Sequence, residues 1–258
     1  MAVGNLMRKR VRSARSWRFI GFTLSMMGWA GIALPQEPQP RHVDPGRLGG
    51  PPSDAIVLFD GKDLAEWTRQ DGSPAGCTVS DGAMTCKTGA GDIYSKRKFS
   101  SAQIHLEFAA PSMPDQKGQA RGNSGVYLHS RYEIQILDSY QNPTYPKGAC
   151  GALYGQAAPL VNASRPPQQW QTYDIVFRAP KCGADGKLIE HGRVTVLHNG
   201  VLIQDNVRIL SVGRGCLEDR IGEPGPLMLQ DHNYRGAPMT VMRFRNIWYR
   251  PLEDEPGK

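Results

Sequence analysis

Short runs in which apolar and polar residues alternate with a period of two recur along the chain, separated by turn signals. They are CTVSDGAMTC (77–86), QIHLEFAA (103–110), SGVYLHS (124–130), YEIQILDS (132–139), WQTYDIVFRA (170–179), RVTVLHNGVLIQD (193–205), GPLMLQDH (225–232) and TVMRFRNIWYR (240–250). A period of two belongs to a β-strand with one buried face, and helical periodicity is hard to find anywhere. Asp81-Gly82 and Asn199-Gly200 sit inside two of the runs, and both dipeptides favour the left-handed turns of tight hairpins. Many short strands joined by Gly- and Pro-containing turns predict an all-β fold, a β-sandwich or jelly roll.

The formal charge of +7, from 31 Lys+Arg against 24 Asp+Glu, suggests a polyanion binder until its location is examined. Six of the positives (Arg8, Lys9, Arg10, Arg12, Arg15 and Arg18) directly precede an uncharged, mostly apolar run, Phe19 to Leu34, with Gly31 and Ala33 near its end. A basic segment, an apolar segment and small residues at the end read as a secretory signal over residues 1–33. Without those six, 25 basic residues face 24 acidic ones and the charge falls to about +1. The expectation is a periplasmic or secreted protein with no nucleic-acid partner and no stable membrane anchor once the signal is cleaved. Residues 34–54 are rich in Pro and Gly and read as a linker, residues 55–252 as one domain, and 253–258 as a tail.

Export permits disulfides. Counting outward from Asp81-Gly82 places Cys77 opposite Cys86 on paired strands, so a 77–86 bridge is expected. The pairing of Cys150, Cys182 and Cys216 stays open. No CxxC, P-loop, GxSxG, GxGxxG-opened helix or HExxH is present.

Alternation sorts side chains by face. Ile104, Leu106, Phe108, Val126, Leu128, Ile134, Ile136, Leu227 and Leu229 are assigned to the core. His105, Glu107, Tyr127, His129, Glu133, Gln135, Gln230 and His232 are assigned to the opposite sides. If these strands are neighbours, they build one polar, aromatic-edged face. A plain solvated face would use more Lys, Thr and Ser, so the choice of His, Glu, Tyr and Gln points to acid–base chemistry on a sugar. Glu133 with Glu107 or His232 is the expected pairing. Tyr127 and Tyr154 are candidate stacking surfaces, and Trp170 is assigned to core packing. Arg243, Arg245 and Arg250 read as part of an ordinary strand. The long stretch from Ser139 to Gln169 has little periodicity, which marks it as a functional loop.

The segments FDGKDLAEW (59–67), GNSGVYLHSRYEIQILDSY (122–140), CGALYGQAAPLVNASRPPQQWQTYDIVFRAP (150–180), TVLHNGVLIQDN (195–206), GPLMLQDH and FRNIWYRPL (244–252) together resemble the 3-keto-disaccharide hydrolase family. The resemblance implies a concanavalin A-like jelly-roll sandwich, an exported bacterial protein, and a hydrolase or lyase acting on glycosides oxidised at C3. It carries the motif positions Asn123, Glu133, Gln135, Asp138, Tyr154, Gln230, Asp231, His232 and Arg245 onto this chain. KCGADGKLIEHGR (181–193) departs from the family as an apparent insertion.

A ketone at C3 acidifies the hydrogen at C2, so a base can remove it, the group at C1 leaves, and water adds to the enone. Glu133 and His232 are the expected catalytic residues, with Asn123, Tyr127, Gln135, Tyr154, Gln230 and Arg245 expected to bind the carbohydrate. A divalent metal is an alternative Lewis acid, and Glu133, Asp138, His129 and His232 are its candidate ligands. A lectin-like binding module without chemistry is the rival from another class. An ordinary endo-glucanase of this fold is disfavoured because Gln135 stands where a second strand carboxylate would be needed.

Overall fold

The computed structural model describes residues 39–212, 220–233, 236 and 238–252. The expected signal over 1–33, the first part of the expected linker, Cys216 and the tail lie outside them. The described strands are β1 (Ile56–Phe59), β2 (Trp67–Thr68), β3 (Thr78–Ser80), β4 (Ala83–Lys87), β5 (Ile93–Phe99), β6 (Ala102–Ala109), β7 (Ser124–Leu128) and β8 (Tyr132–Ile136). They continue with β9 (Gln171–Arg178), β10 (Lys181–Cys182), β11 (Leu188–Glu190), β12 (Arg193–His198), β13 (Val201–Arg208), β14 (Gly225–Leu229) and β15 (Val241–Pro251).

Two antiparallel sheets stack into a jelly-roll sandwich of the concanavalin A-like kind. One runs β13-β12-β9-β6-β15-β4-β3, with β1 on the remaining length of β15, and the other runs β2-β5-β14-β7-β8. The apolar residues of the alternating runs meet between them. Ile104, Leu106 and Phe108 of the eight-stranded sheet and Val126, Leu128, Ile134, Ile136 and Leu227 of the five-stranded sheet are all fully buried in one core. Each such side chain contributes about 1.5–3 kcal/mol on leaving water. Phe99 of β5 meets Phe177 of β9 edge-on, with ring centroids 6.3 Å apart. Tyr173 of β9 crosses the layer to donate to the carbonyl of Gln135 at 2.7 Å.

The hairpin chemistry predicted from sequence is present. Asp81 and Gly82 have φ of 52° and 70°, and Asn199 and Gly200 have 53° and 80°. Cys77 and Cys86 flank the β3–β4 pairs and are disulfide-bonded, with Cα atoms 4.5 Å apart. The departure at 181–193 is a separate two-stranded hairpin, β10–β11. Among the described residues no helix is long and apolar enough to cross a membrane.

The expected single polar face is corrected by the sheet assignment. β7, β8 and β14 are neighbours, but β6 belongs to the other sheet, so His105 and Glu107 lie on its outer side. Alternation fixes which way a side chain points relative to its own strand and says nothing about which sheet that strand joins.

Candidate active site

The outer side of the five-stranded sheet carries two rows of side chains. Tyr94 of β5, Met228 of β14, Tyr127 of β7 and Glu133 of β8 occupy successive paired positions across it. One step along each strand pair come Asp92, Gln230, Gly125 and Gln135, as the Ile93–Leu229, Leu229–Val126 and Gly125–Gln135 pairs require. Sequence alternation assigned this face to the polar side, and so it is, but it is not solvated. Glu133 is 4% exposed, Tyr127 1% and Gln135 1%. Segments before β7 and after β8 cover it. Gln119 reaches the Gln135 amide, and the 150–157 stretch pairs along β8 through Gly151 N to Gln135 O and Tyr154 N to Glu133 O, at 2.8 and 3.0 Å.

Glu133 is held from both sides. Tyr127 Oη donates to its Oε2 at 2.8 Å, and Gln230 Nε2 donates to Tyr127 Oη at 3.1 Å. The end of the Gln135 amide lying 3.0 Å from Glu133 Oε1 and 2.8 Å from Ser124 O is its nitrogen, because both neighbours accept. Burial raises the Glu133 pKa from 4.5 to about 7, while the Tyr127 hydrogen bond pulls the other way. Burial and the adjoining Glu133 carboxylate raise the Tyr127 pKa well above the ordinary phenol value, so its hydroxyl stays protonated. Gly125 supplies the remaining feature. A Cβ there would sit 2.7 Å from Glu133 Oε1 and 2.9 Å from the Tyr127 ring, so the missing side chain lets the carboxylate and the ring close directly onto the β7 backbone.

Asn123 and Gln230 add two buried acceptors, Oδ1 and Oε1, that have no hydrogen-bond partner among the described residues. Both residues line a cavity of about 20 Å³ shared with His232, Asp231, Thr88 and Thr240. Burial lowers the His232 pKa against the opposing pull of Asp231, which leaves the ring neutral at pH 7. Asp231 braces a loop, accepting from Gly89 N and Gly91 N at 2.8 Å each. Tyr154 stands at the rim, its hydroxyl 2.5 Å from that of Tyr145. The long loop therefore works as a cover and edge for the Glu133 face.

The profile of the 3-keto-alpha-glucoside-1,2-lyase-like domain matches residues 54–250. The chain belongs to this family. A solved structure from Parabacteroides distasonis, named a "putative glycosyl hydrolase", shares 43% identity over 87% of this chain and 99% of its own, with a TM-score of 0.77. A second structure of the same description and organism shares 20% identity over 78% of this chain and 94% of its own, at a TM-score of 0.57, a likeness of fold. No curated protein matches the chain. The lyase-like domain is thus a carbohydrate-active enzyme.

Three sequence-derived site residues of the lyase-like domain lie away from Glu133. Arg245 is on β15, on the outer side of the opposite sheet, where its Nε donates to Glu107 Oε2 at 2.6 Å and its guanidinium lies 4.1 Å from the Trp170 ring centre. Trp170, assigned to the core from sequence, is half-buried on that outer side beneath Arg243 and Arg245. His129 does not continue the alternation of β7. It and Ser130 have φ of 56° and 52°, a tight turn that swings the imidazole inward against Phe99 and Phe177. Its Nε2 meets Ser100 O at 3.0 Å and its Nδ1 meets Arg131 Nη1 at 3.2 Å. Asp138 accepts from Arg121 Nε at 2.6 Å and from Tyr140 N at 3.2 Å. The donor atoms of His129 and Asp138 are thus engaged in the fold and do not fit a metal ligand set with Glu133. Among the described residues no group of three or more His, Cys, Asp and Glu is placed to hold a metal ion.

The Glu107 pairing expected for Glu133 is replaced by one within the outer side of the eight-stranded sheet. His105 Nδ1 lies 2.6 Å from Asp174 Oδ1, and its ring stacks on Trp248 at 5.3 Å. Burial opposes the His105 charge, but Asp174 and Glu107 outweigh it and raise the pKa from 6.5 to about 9. Glu107, beside His105 and then Asn246 and Arg245, drops from 4.5 to about 2.

Proposed function

We propose that the protein is an exported enzyme that cleaves 3-keto-glycosides or 3-keto-disaccharides by removing the C2 proton, expelling the C1 substituent and hydrating the enone. The observation that carries it is Glu133: a buried carboxyl with a pKa of about 7, held by Tyr127 and packed against the Gly125 backbone. A base matched to neutral pH is what abstraction of a proton next to a ketone requires. Glu133 is the base, and Tyr127 and Gln135 hold it in place. As charge moves onto the sugar, Tyr127 supplies an O–H that burial keeps protonated. Asn123 Oδ1 and Gln230 Oε1 accept from sugar hydroxyls, which supplies the partners they lack among the described residues. The family and the basic, then apolar, N-terminus support the substrate and the export.

The test is an incubation of the purified mature protein with a 3-keto-glucoside and with its unoxidised parent. The wild type releases the aglycone from the first and leaves the second intact, and Glu133→Gln lowers the rate at least about a thousandfold. Cleavage of the parent at a similar rate, or full activity in Glu133→Gln, overturns the proposal. Binding without release of any product makes the protein a carbohydrate-binding module instead.

A further inference from the structure

We infer that Asp92 is the acid that protonates the departing oxygen, and that the cleft beside it receives the leaving sugar or aglycone. This rests on Glu133 acting as the base. The geometry comes from the sheet. Asp92 pairs across from Gln230, whose other neighbour is Gly125, so a single strand stands between Asp92 and the Gly125 backbone against which the Glu133 carboxylate lies. Two strand spacings, about 10 Å, separate Asp92 from Gly125, and the Glu133 side chain reaches the Gly125 end of that span from β8. Asp92 and Tyr94 share the outer side of β5 and line a cleft of about 520 Å³ with Arg69, Gln70, Asp71 and Gly91. That volume suits a second sugar or an aryl group. The wall is mixed in character, with an aromatic ring, a guanidinium and carboxylates, as a polyhydroxylated ligand needs.

Asp92 is also held in position. Its Oδ1 accepts from the backbone N–H of Asp231 at 2.7 Å, which fixes the carboxyl at the cleft. Burial, with the nearby Asp231 charge adding to it, favours the protonated form against the pull of that backbone hydrogen bond. Asp92 and Tyr127 are close enough for Asp92 to disfavour the tyrosinate.

The step balances as follows. Glu133 takes the C2 proton, the C2–H electron pair forms the C1–C2 double bond, and the C1–O bond breaks onto the leaving oxygen. Asp92 gives that oxygen its proton, releasing an alcohol and a 3-keto enol ether conjugated at C1–C2. In hydration, the Asp92 carboxylate takes a proton from water as its oxygen bonds C1, and Glu133 returns its proton to C2.

Loss of an acid is felt most by a poor leaving group. The experiment compares kcat/KM for 4-nitrophenyl and methyl 3-keto-β-glucosides, using wild type, Asp92→Asn and Asp92→Glu. The asparagine keeps an acceptor for Asp231 N, so the loop anchorage survives, and equal thermal melting points check the fold. The expected result for Asp92→Asn is a fall of about a hundredfold or more on the methyl glycoside and less than about threefold on the nitrophenyl one, with Asp92→Glu partly restoring the first. An equal fall on both, or none on either, overturns the acid role while the wild type still cleaves both. If the wild type cleaves neither substrate, the proposed function fails and this role falls with it.

Discussion

Glu133 and Glu107 are two glutamates on the outer sides of two stacked sheets, and the protein drives them in opposite directions. Glu107 sits among His105, Asn246 and Arg245, and its pKa falls to about 2. Glu133 sits among a phenol and an amide under covering segments, and its pKa rises to about 7. Both have lost water, so burial alone does not decide the outcome. Cationic neighbours turn a carboxylate into a fixed ion, whereas neutral donors hold it in place and leave its proton mobile. The first arrangement suits stability and the second suits chemistry.

The largest expected effect separates the two glutamates by activity. Glu133→Gln removes the base and costs at least about a thousandfold in kcat, whereas Glu107→Gln leaves kcat within about twofold and lowers the melting temperature, both read on one 3-keto-glucoside. Gly125→Ala comes next. Its methyl group occupies the space of Glu133 Oε1, so kcat is expected to fall about a hundredfold in a protein that still melts cooperatively.

Removal of the imidazole in His105→Ala takes the cation from Asp174, leaves Glu107 with the Arg245 cation, and leaves Trp248 without its stacking partner. The loss is on the order of 2–3 kcal/mol in urea unfolding at pH 6, with turnover per folded molecule unchanged. The pH dependence splits the faces further. His105 is raised from 6.5 to about 9, so its contribution is complete below pH 6.5 and disappears as the pH climbs to 9. Glu107 contributes fully above pH 4.5 and loses its contribution as the pH falls toward 2. Glu133 behaves oppositely, since a raised carboxyl binds more protons when folded and costs stability as the pH rises from 4.5 to 7. Glu133 thus contributes a decline between pH 4.5 and 7 and His105 one between 6.5 and 9, while His198, whose pKa burial lowers to about 4, contributes a rise up to pH 6.5; relative to wild type, Glu133→Gln removes the first decline and His105→Ala the second. If both variants decline in parallel with wild type, the contrast between the faces is wrong. The smallest effect is Trp170→Ala, which removes the surface under Arg243 and Arg245 at about 1 kcal/mol and leaves activity alone.

Much of the fold is legible from alternation because most strands bury one side only. The β3–β4 and β12–β13 hairpins follow from Asp-Gly and Asn-Gly, and the core sides of β6, β7, β8 and β14 follow from their Ile, Leu, Val and Phe spacing. β5 escapes. Lys96, Arg97 and Lys98 interrupt its pattern, although it is paired on both sides, with β2 and β14, in the five-stranded sheet. Asp92 and Tyr94 are invisible as site residues for the same reason. His129-Ser130 carries none of the usual turn chemistry, so the hairpin it forms, and the inward His129, are not readable either. Glu133 and Tyr127 are found from sequence because alternation within a single strand is local. Arg245 is misplaced because the assignment of strands to sheets is not local.

The stretch that covers β8 also changes the exposure of the sheet itself. Without residues 150–157, β8 would present an open edge, and an unpaired edge is a template for another chain. With Gly151, Ala152 and Tyr154 bonded to Gln135 and Glu133, the backbone of Glu133 lies between two partners rather than at a margin. Amide exchange at Gln135 and Tyr154 should accordingly wait for opening of the sandwich, and concentrated solutions should stay monodisperse as long as that cover is in place.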